Sequence, residues 1–395
     1  RINDAYQNKR PQLSKQGQEL SKVLHSLLPT PAIEPLTKDT ALLKYARDQL
    51  AMQYDATDGG FGGAPKFPMP ATIERMLRHW AFSRKEGEAD RQALEMAMNT
   101  LTKIARGGIY DHIGGGFCRY ATDRKWAIPH FEKMLYDNGS LLSIYSDAIG
   151  VSPDTLFEGA LRETAEWIMR EMQHQEGGYL AALDADSEGE EGKFYLWRRD
   201  KVKRLLTEDE YLLVETLYGL DKPANFEGRW NFHRQDAWHA VVARLSLESS
   251  EANDRLASAK AKLFDERSAR IPPGKDEKIL TSWNGLAIRG MAKASLRLQE
   301  PALIQSAQRA SDFIRDNLWD GDHLMATWCG GRTKYAGYLD DYSNLLEGLI
   351  ALLSVRWRNE DIEFAKSQAD ALIRHFYDSD NGGFFFTGHD QEQLI

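Results

Sequence analysis

The sequence has 395 residues, of which 42% are hydrophobic and 28% charged, and 50 Lys+Arg against 59 Asp+Glu give a formal net charge of -9. This composition is typical of a soluble globular protein, and an acidic chain without a basic tract gives no support for phosphate-mediated binding of nucleic acid. Two cysteines, Cys118 and Cys329, exclude a disulfide framework and favour a cytoplasmic location, and the absence of a long apolar run argues against membrane insertion.

Apolar residues recur at intervals of three and four along most of the chain, which predicts helices. We expect a lead-in helix at 12–28 and further helices at 39–54, 70–84, 90–106, 130–149, 153–174, 200–219, 249–268, 281–299, 301–317, 341–356 and 360–377. Residues 1–38 are interpreted as a lead-in helix and linker from a missing N-terminal domain, and residues 39–395 as one barrel domain. C-terminal helices of that barrel are expected to be missing from this sequence.

Turn residues followed by an aromatic residue recur between the predicted helices. The copies are Asp58-Gly59-Gly60-Phe61, Gly114-Gly115-Gly116-Phe117, Glu176-Gly177-Gly178-Tyr179 and Asn381-Gly382-Gly383-Phe384, with a degenerate copy at 321–328. Helix pairs repeated at this spacing predict an all-α fold, a closed (α/α)6 barrel with short β-hairpins in its loops; an open α-solenoid is the alternative. Gly285 and Gly290 suit a crowded inner ring. In such a ring the N-termini of the inner helices face one central cleft.

The stretch Trp126 to Asn138 concentrates histidine, carboxylate and amide chemistry. Pro129 is a favourable first helical residue, so we expect His130 in the first turn of a helix, on one face with Asp137 and Asn138. This pattern indicates a functional site. The alternative is structural, with Lys133 and Asp137 forming an i,i+4 ion pair and His130 filling the core.

The two loops before this helix add candidate binding groups. Lys66 lies in a rigid Gly/Pro loop and is expected to point into the cleft, although a purely structural turn is the alternative. Around the triple glycine, Arg119 and Tyr120 are suited to bind a polyhydroxylated ligand on which Trp126 stacks. Arg119 could instead pair with Asp111 or Asp123 to brace the loop.

An acidic loop follows further along the chain, with Asp184, Asp186 and Glu188 at alternate positions. It resembles the start of a calcium loop, but Tyr195 occupies the twelfth position, and the flanking segments 178–183 and 193–197 are predicted to be strands. Paired carboxylates over a cleft could perform acid–base catalysis or bind sugar hydroxyls. A solvated acidic hairpin is the remaining interpretation.

Two later helix starts carry similar groups. Ser282 is a plausible cap that places Trp283 and Asn284 in a first turn, as a stacking surface beside an amide. Asp340 and Asp341 open the next inner helix, where Asp340 could bind ligand or serve only as an N-cap. Nucleotide-binding, serine-hydrolase and zinc-protease motifs are absent from the sequence.

With these motifs the chain resembles the YyaL / spermatogenesis-associated thioredoxin-domain family. The resemblance rests on the segments 59–68, 107–117, 129–138, 184–189, 280–285 and 340–342. It implies a six-hairpin glycosidase-like (α/α)6 domain, similar to glycoside hydrolases and to N-acylglucosamine and cellobiose 2-epimerases. It also implies a covalently attached thioredoxin-like domain in the full-length protein, and it supplies a fold and a substrate class but no reaction.

The sequence therefore predicts a carbohydrate-active domain that epimerises, isomerises or hydrolyses a small sugar or sugar derivative. We expect His130, Asp184 and Asp186 to be catalytic, and no metal or cofactor is expected. The expected substrate-binding residues are Lys66, Asp111, His112, Arg119, Tyr120, Trp126, Glu132, Asp137, Asn138, Glu188, Trp283, Asn284, Asp340, Asp341 and Tyr342. The alternative is a non-catalytic module that binds a ligand or client protein and works with the thioredoxin-like domain.

Overall fold

The computed structural model describes residues 6–26 and 40–391. The helices in chain order are α1 Arg10–Ser26, α2 Ala41–Gln53, α3 Pro70–Lys85, α4 Arg91–Arg106, α5 Leu135–Val151, α6 Thr155–Trp167, α7 Arg199–Leu205, α8 Glu208–Tyr218, α9 Trp238–Arg244, α10 Ser249–Ser268, α11 Thr281–Leu298, α12 Pro301–Asn317, α13 Leu339–Val355 and α14 Asn359–Phe376. The strands are β1 Tyr120–Ala121, β2 Pro129–His130, β3 Lys133–Met134, β4 Ala182–Leu183, β5 Asp186–Ser187, β6 Glu190–Glu191, β7 Lys275–Asp276, β8 Ile279–Leu280, β9 Met325–Cys329 and β10 Arg332–Ala336. Among the described residues, no helix combines the length and apolar character needed to cross a membrane.

The helices form two layers. Helices α3, α5, α11 and α13 make the inner layer, in which each contacts the next, while α4, α6, α12 and α14 pack outside the inner helix that precedes them. The inner helix α5 buries side chains on nearly every side, as expected of a helix enclosed by neighbours. The predicted all-α, two-layer (α/α)6 architecture is confirmed. A smaller core, including Leu213, Val214 and Phe232, holds α7–α10 together between α6 and α11.

Glycines bring the inner helices into close contact, as the sequence predicts. A Cβ atom added to Gly285 of α11 would lie 2.4 Å from the backbone carbon of Asn344 in α13. On the other side of α11, a Cβ on Gly290 would lie 2.3 Å from the carbonyl oxygen of Gly139 in α5. Only residues without a side chain permit backbones to approach this closely.

A short hairpin follows each of the outer helices α2, α4, α6, α12 and α14. The bridges that close these hairpins are Tyr54↔Phe61, Tyr110↔Phe117, Gln173↔Tyr179, Trp319↔Leu324 and Tyr377↔Phe384. The predicted repeat is therefore present, including its degenerate copy. Because each inner helix begins after such a hairpin, the hairpins and the inner-helix N-termini share one end of the domain.

The predicted helix at 130–149 begins later, at Leu135, and His130 lies in a strand instead of a first helical turn. The backbone of this segment forms hydrogen bonds with the preceding loop instead of with a helix. Thr122 donates to the carbonyl of Ile128, and Arg119 donates to the carbonyl of Glu132. Tertiary pairing thus overrides the helix signal of Pro129.

Other boundaries differ for local reasons. The predicted helix at 200–219 is two helices, because Thr207 and Glu210 form a capping box that starts α8. The segment 153–174, predicted as one helix, is α-helical up to Trp167 and then forms a π-helical turn over Ile168–Met172. The predicted strand at 193–197 is absent; strands β5 and β6 instead pair with each other across the acidic loop. The predicted lead-in helix is present at Arg10–Ser26, while its last two residues and the linker 27–39 lie outside the described residues.

Candidate active site

Strands β1 and β2 place two predicted site residues side by side. They pair in the register Tyr120↔His130, so both side chains leave the same face of the hairpin. The two rings are stacked with centroids 5.0 Å apart, and the ring centroid of Phe67 lies 4.7 Å from that of Tyr120. The result is a partly exposed aromatic surface at the end of the domain where the inner helices begin.

A chain of charged groups continues from this surface. His130 Nδ1 lies 2.8 Å from Glu191 Oε1, and His130 Nε2 lies 3.7 Å from Glu132 Oε2. Glu132 in turn lies 3.3 Å from Arg119 Nη1. Asp186 lies opposite Glu191 in the β5–β6 pair, so the two carboxylates share one face of that hairpin.

Asp137 has the most unusual environment of these groups. It lies in the first turn of α5 and is only 6% exposed, and its Oδ2 has no hydrogen-bond partner among the described residues. Burial raises the pKa of Asp137 to about 7, and the nearby Arg119 and Tyr136 offset only part of that effect. A carboxyl group in this state is present in both protonation states at neutral pH, as general acid–base catalysis requires.

Helix α11 contributes an aromatic side chain to this region. The ring of Trp283 meets Tyr136 edge-on at 4.8 Å, and both residues are partly exposed. The residues gathered here, which we call the His130 cluster, are Arg119, Tyr120, His130, Glu132, Tyr136, Asp137, Glu191 and Trp283. Tyr136 and Glu191 are not among the site residues predicted from the sequence. Tyr136 could have been recognised from its position beside Asp137, whereas no local signal marks Glu191.

Several predicted binding residues are buried away from this cluster. Trp126 is fully buried and donates from Nε1 to the carbonyl of Asp58, so it offers no surface for ligand stacking. Lys66 is also fully buried and forms an ion pair of 2.7 Å with Asp55 instead of pointing into the cleft. His112 is bonded to the Gly107 carbonyl, and burial lowers its pKa well below the usual value, so its ring is neutral.

Asp111 braces the second loop, but with partners other than Arg119. It contacts Lys133 at 2.9 Å and Arg267 at 2.8 Å, and both cations are buried. Burial opposes ionisation, yet the charges of Arg267 and Lys133 hold the pKa of Asp111 well below its usual range. The Lys133–Asp137 ion pair of the structural alternative is therefore wrong, since Lys133 lies in β3 and its ammonium group contacts Asp111.

The amide residues at the inner-helix starts clamp the hairpins. Asn138 Oδ1 accepts from the backbone N–H of Phe117, and its Nδ2 donates to the Phe117 carbonyl. Asn284 makes the same two bonds with Tyr179. The Tyr342 hydroxyl accepts from the N–H of Leu324. Each of these three buried side chains therefore has a structural partner in a hairpin.

Among the acidic residues at the start of α13 and in the β4–β6 loop, some hydrogen-bond to the backbone and others are exposed. Asp341 accepts from the N–H groups of Ser282 and Tyr338, so Asp341, and not the exposed Asp340, caps α13. Ser282 makes no side-chain cap for α11. Asp184 and Asp186 are exposed, and Glu188 pairs with Lys193 at 3.1 Å.

Known proteins place this chain in a family. It is 33% identical over 372 residues to human spermatogenesis-associated protein 20, a match that covers 85% of this chain and 47% of that protein. This chain belongs to the spermatogenesis-associated protein 20 family. An uncharacterized protein of Caenorhabditis elegans is 28% identical over 418 residues, covering 96% of this chain and 57% of that protein. No protein-family model matches the chain.

The chain spans about half the length of these curated relatives. Among solved structures, a UGL variant with the saccharide dGlcA-Glc-Rha-Glc superposes with a TM-score of 0.52 at 12% identity, covering 88% of this chain and 71% of that one. At this level of identity the similarity establishes the fold alone. The predicted family and the six-hairpin glycosidase-like fold are thus confirmed.

Proposed function

We propose that this domain binds a small sugar or sugar derivative at the His130 cluster and transfers a proton to or from it. The single observation that carries the proposal is Asp137, a carboxyl group that is almost completely buried, has an oxygen without a hydrogen-bond partner, and has a pKa of about 7. Burying such a group stabilises nothing in the fold. Groups of this kind are characteristic of active sites.

The surroundings of Asp137 support a sugar as the ligand. The rings of Tyr120 and Trp283 offer apolar faces for a pyranose, and Arg119, Glu132 and Glu191 offer hydrogen bonds to hydroxyl groups. A saccharide is also the ligand of the UGL structure that shares this fold. The partner required by this site is therefore a polyhydroxylated small molecule.

His130 is proposed as the second catalytic group, because the carboxylate of Glu191 lies 2.8 Å from Nδ1 and orients the imidazole ring. In epimerisation or isomerisation, one of the two groups would remove a proton from carbon and the other would return one. In hydrolysis, Asp137 would protonate the leaving oxygen and a second carboxylate would be required. Asp186, on the face of its hairpin that carries Glu191, is our candidate for that carboxylate, and Asp184 is the alternative.

We test the proposal by NMR of a panel of mono- and disaccharides incubated with the protein in deuterated buffer. Deuterium at a carbon-bound position would identify an epimerase or isomerase, and a new reducing end would identify a hydrolase. Asp137→Asn is expected to lower the rate about 100- to 10,000-fold, the usual contribution of a general acid–base group. The exposed Asp254→Asn on α10 serves as the control and should retain full activity.

Two outcomes would contradict the proposal. If saccharides produce binding shifts without any exchange or cleavage, the domain is a binding module. If turnover occurs but Asp137→Asn retains it, the proton transfer takes place elsewhere. We further propose a cytoplasmic location, supported by two free cysteines, and an attached thioredoxin-like domain in the part of the relatives that this chain does not span.

A further inference from the structure

Two histidines lie close together between the hairpin that follows α12 and the end of α14, and neither belongs to the His130 cluster. His323 lies in the hairpin that follows α12, and His375 lies at the end of α14, with ring centroids 4.4 Å apart. Asp322 precedes His323 in the same hairpin, and Asp390 follows the hairpin after α14. The proposed sugar chemistry uses none of these four residues.

The two aspartates occupy opposite sides of the histidine pair. Asp390 Oδ2 lies 2.7 Å from His323 Nε2 and 3.2 Å from His375 Nδ1. On the other side, Asp322 lies 3.5 Å from His323 Nδ1 and 3.5 Å from His375 Nε2. Each imidazole therefore directs one nitrogen toward each carboxylate.

This arrangement determines which nitrogens can bind a cation. An ionised carboxylate only accepts hydrogen bonds, so the tautomers that suit Asp390 carry N–H on His323 Nε2, which is hydrogen-bonded to it, and on His375 Nδ1, which lies 3.2 Å away. In these neutral tautomers the lone pairs are on the other nitrogens, His323 Nδ1 and His375 Nε2, each of which lies 3.5 Å from Asp322. His375 is 9% exposed, and its Nε2 is buried without a hydrogen-bond partner in the part of the chain that the structure describes. A buried, unpartnered nitrogen of this kind is explained by a ligand that the nitrogen binds.

We propose that Asp322, His323 and His375 bind a divalent transition-metal ion, and that Asp390 acts as a positioning residue for both imidazoles. The three ligand atoms lie within 4.8 Å of one another, close enough to share one ion. Two imidazoles and one carboxylate suit Zn²⁺, Co²⁺, Fe²⁺ or Mn²⁺, whereas Ca²⁺ and Mg²⁺ prefer oxygen ligands alone. Carboxylates that orient metal-bound histidines through the second ring nitrogen are a general feature of metal sites.

The fold holds the proposed ligands from both sides. Asp320 accepts from the N–H groups of Asp322 and His323 and thereby fixes the tip of the hairpin. The chain that leads to Asp390 is attached by the N–H of His389, which donates to the carbonyl of His375. The ion would thus join the hairpin after α12 to the chain that follows α14.

Arg374 is a competitor for the ion, since its guanidinium contacts Asp322 Oδ1. This side chain is 61% exposed, so a cation can displace it at little cost. Removing this contact should therefore strengthen metal binding, whereas removing a ligand should weaken it. Arg374→Gln should bind the metal more tightly than the natural sequence does, because the competing charge is removed.

We test the proposal by titrating the chain with Co²⁺ and recording its visible d–d absorption, followed by competition with Zn²⁺. One equivalent of Co²⁺ is expected to bind with nitrogen ligation. His323→Ala should abolish the signal, and Asp390→Asn should weaken binding by about 10- to 100-fold while leaving the ligands in place. His389→Ala is the matched control, because it removes an exposed neighbouring histidine that is outside the proposed set.

The result that would overturn the proposal is equal Co²⁺ binding by the natural sequence, His323→Ala and His389→Ala, or no binding by the natural sequence. Circular dichroism of each variant separates loss of the site from loss of the fold. His323 is the preferred substitution because its side chain is 32% exposed, whereas that of His375 is 11% exposed. Metal binding is read directly, so a negative sugar screen leaves this test unaffected.

Discussion

Two aspartates at equivalent helix positions differ in what their oxygens contact. Asp137 and Asp341 each occupy the third position of an inner helix, and burial raises their pKa values to about 7 and about 6. Both oxygens of Asp341 accept backbone hydrogen bonds, which gives this carboxyl a structural role. Asp137 Oδ2 accepts none. A raised pKa alone does not identify a catalytic group; the unoccupied oxygen distinguishes Asp137.

The raised pKa of Asp137 should also be visible in stability. Between pH 4 and about pH 7 the folded protein binds a proton that the unfolded chain has released, so stability falls as the pH rises through this range. Asparagine carries no charge at any pH. We expect Asp137→Asn to be more stable than the natural sequence at pH 8, by up to about 4 kcal/mol, and to match it near pH 4. Urea unfolding at pH 4, 6 and 8 measures this difference.

The exposed Asp254→Asn should show no such pH dependence. Equal stability of Asp137→Asn and the natural sequence at pH 8 would mean that the carboxyl of Asp137 is not desolvated in solution. In that event the case for its catalytic role also fails.

The hairpin and the inner helix that follows it act as one structural element. Asn138 and Asn284 each satisfy a buried backbone N–H and carbonyl of the preceding hairpin, and Tyr342 satisfies one N–H. Sequence analysis interpreted all three as substrate-binding residues. Polar residues at a helix start look alike in sequence whether their partner is a ligand or a neighbouring loop.

Substitutions in these clamps should follow the number of bonds lost. Asn138→Ala and Asn284→Ala each remove three side-chain hydrogen bonds, two of them to hairpin backbone groups, and we expect each to reduce the free energy of unfolding by about 2–5 kcal/mol. Tyr342→Phe removes one bond and should cost about half as much. Asn317→Ala, on the exposed end of α12, is the control and should change stability by no more than about 0.5 kcal/mol. Similar losses for all four variants in chemical denaturation would refute the clamp.

At the scale of the whole molecule, glycine contacts set the distance between inner helices. Helix α11 lies against α5 through Gly139 and Gly290, and against α13 through Gly285 and Gly348. These contacts bring the N-termini of α5 and α11 together, and with them Tyr136 and Trp283. The geometry of the proposed active site therefore depends on the packing of the inner layer.

Gly285→Ala tests this packing. The added methyl group would meet the backbone of α13, which cannot rotate away, and we expect a loss of roughly 2–4 kcal/mol. Gly159 in α6 has open space around its Cβ position, so Gly159→Ala should stabilise the protein by about 0.5–1 kcal/mol through helix propensity alone. Thermal unfolding of the two variants should give shifts of opposite sign. Shifts of the same sign would show that backbone contact does not limit the inner layer.

The sequence by itself determined the features that depend on neighbouring residues. Apolar periodicity predicted the helices, such as Pro301–Asn317, to within a few residues, and the Gly-aromatic turns predicted the hairpin repeat and hence the barrel class. Small residues in α11 predicted the crowded inner ring. Each of these signals is a local preference repeated along the chain, so it survives without knowledge of the tertiary contacts.

Only the tertiary structure decided which polar groups reach the surface and which are buried in the protein interior. Arg267 reaches Asp111 across 156 residues, and Glu191 reaches His130 across 61. Lys66 and Trp126 are buried by packing that no local pattern records. A side chain's exposure and partners are set by contacts between distant segments, and the local sequence specifies the residue type without specifying the neighbour. For that reason the class of fold could be read from the residues, whereas the membership of the site required their positions in space.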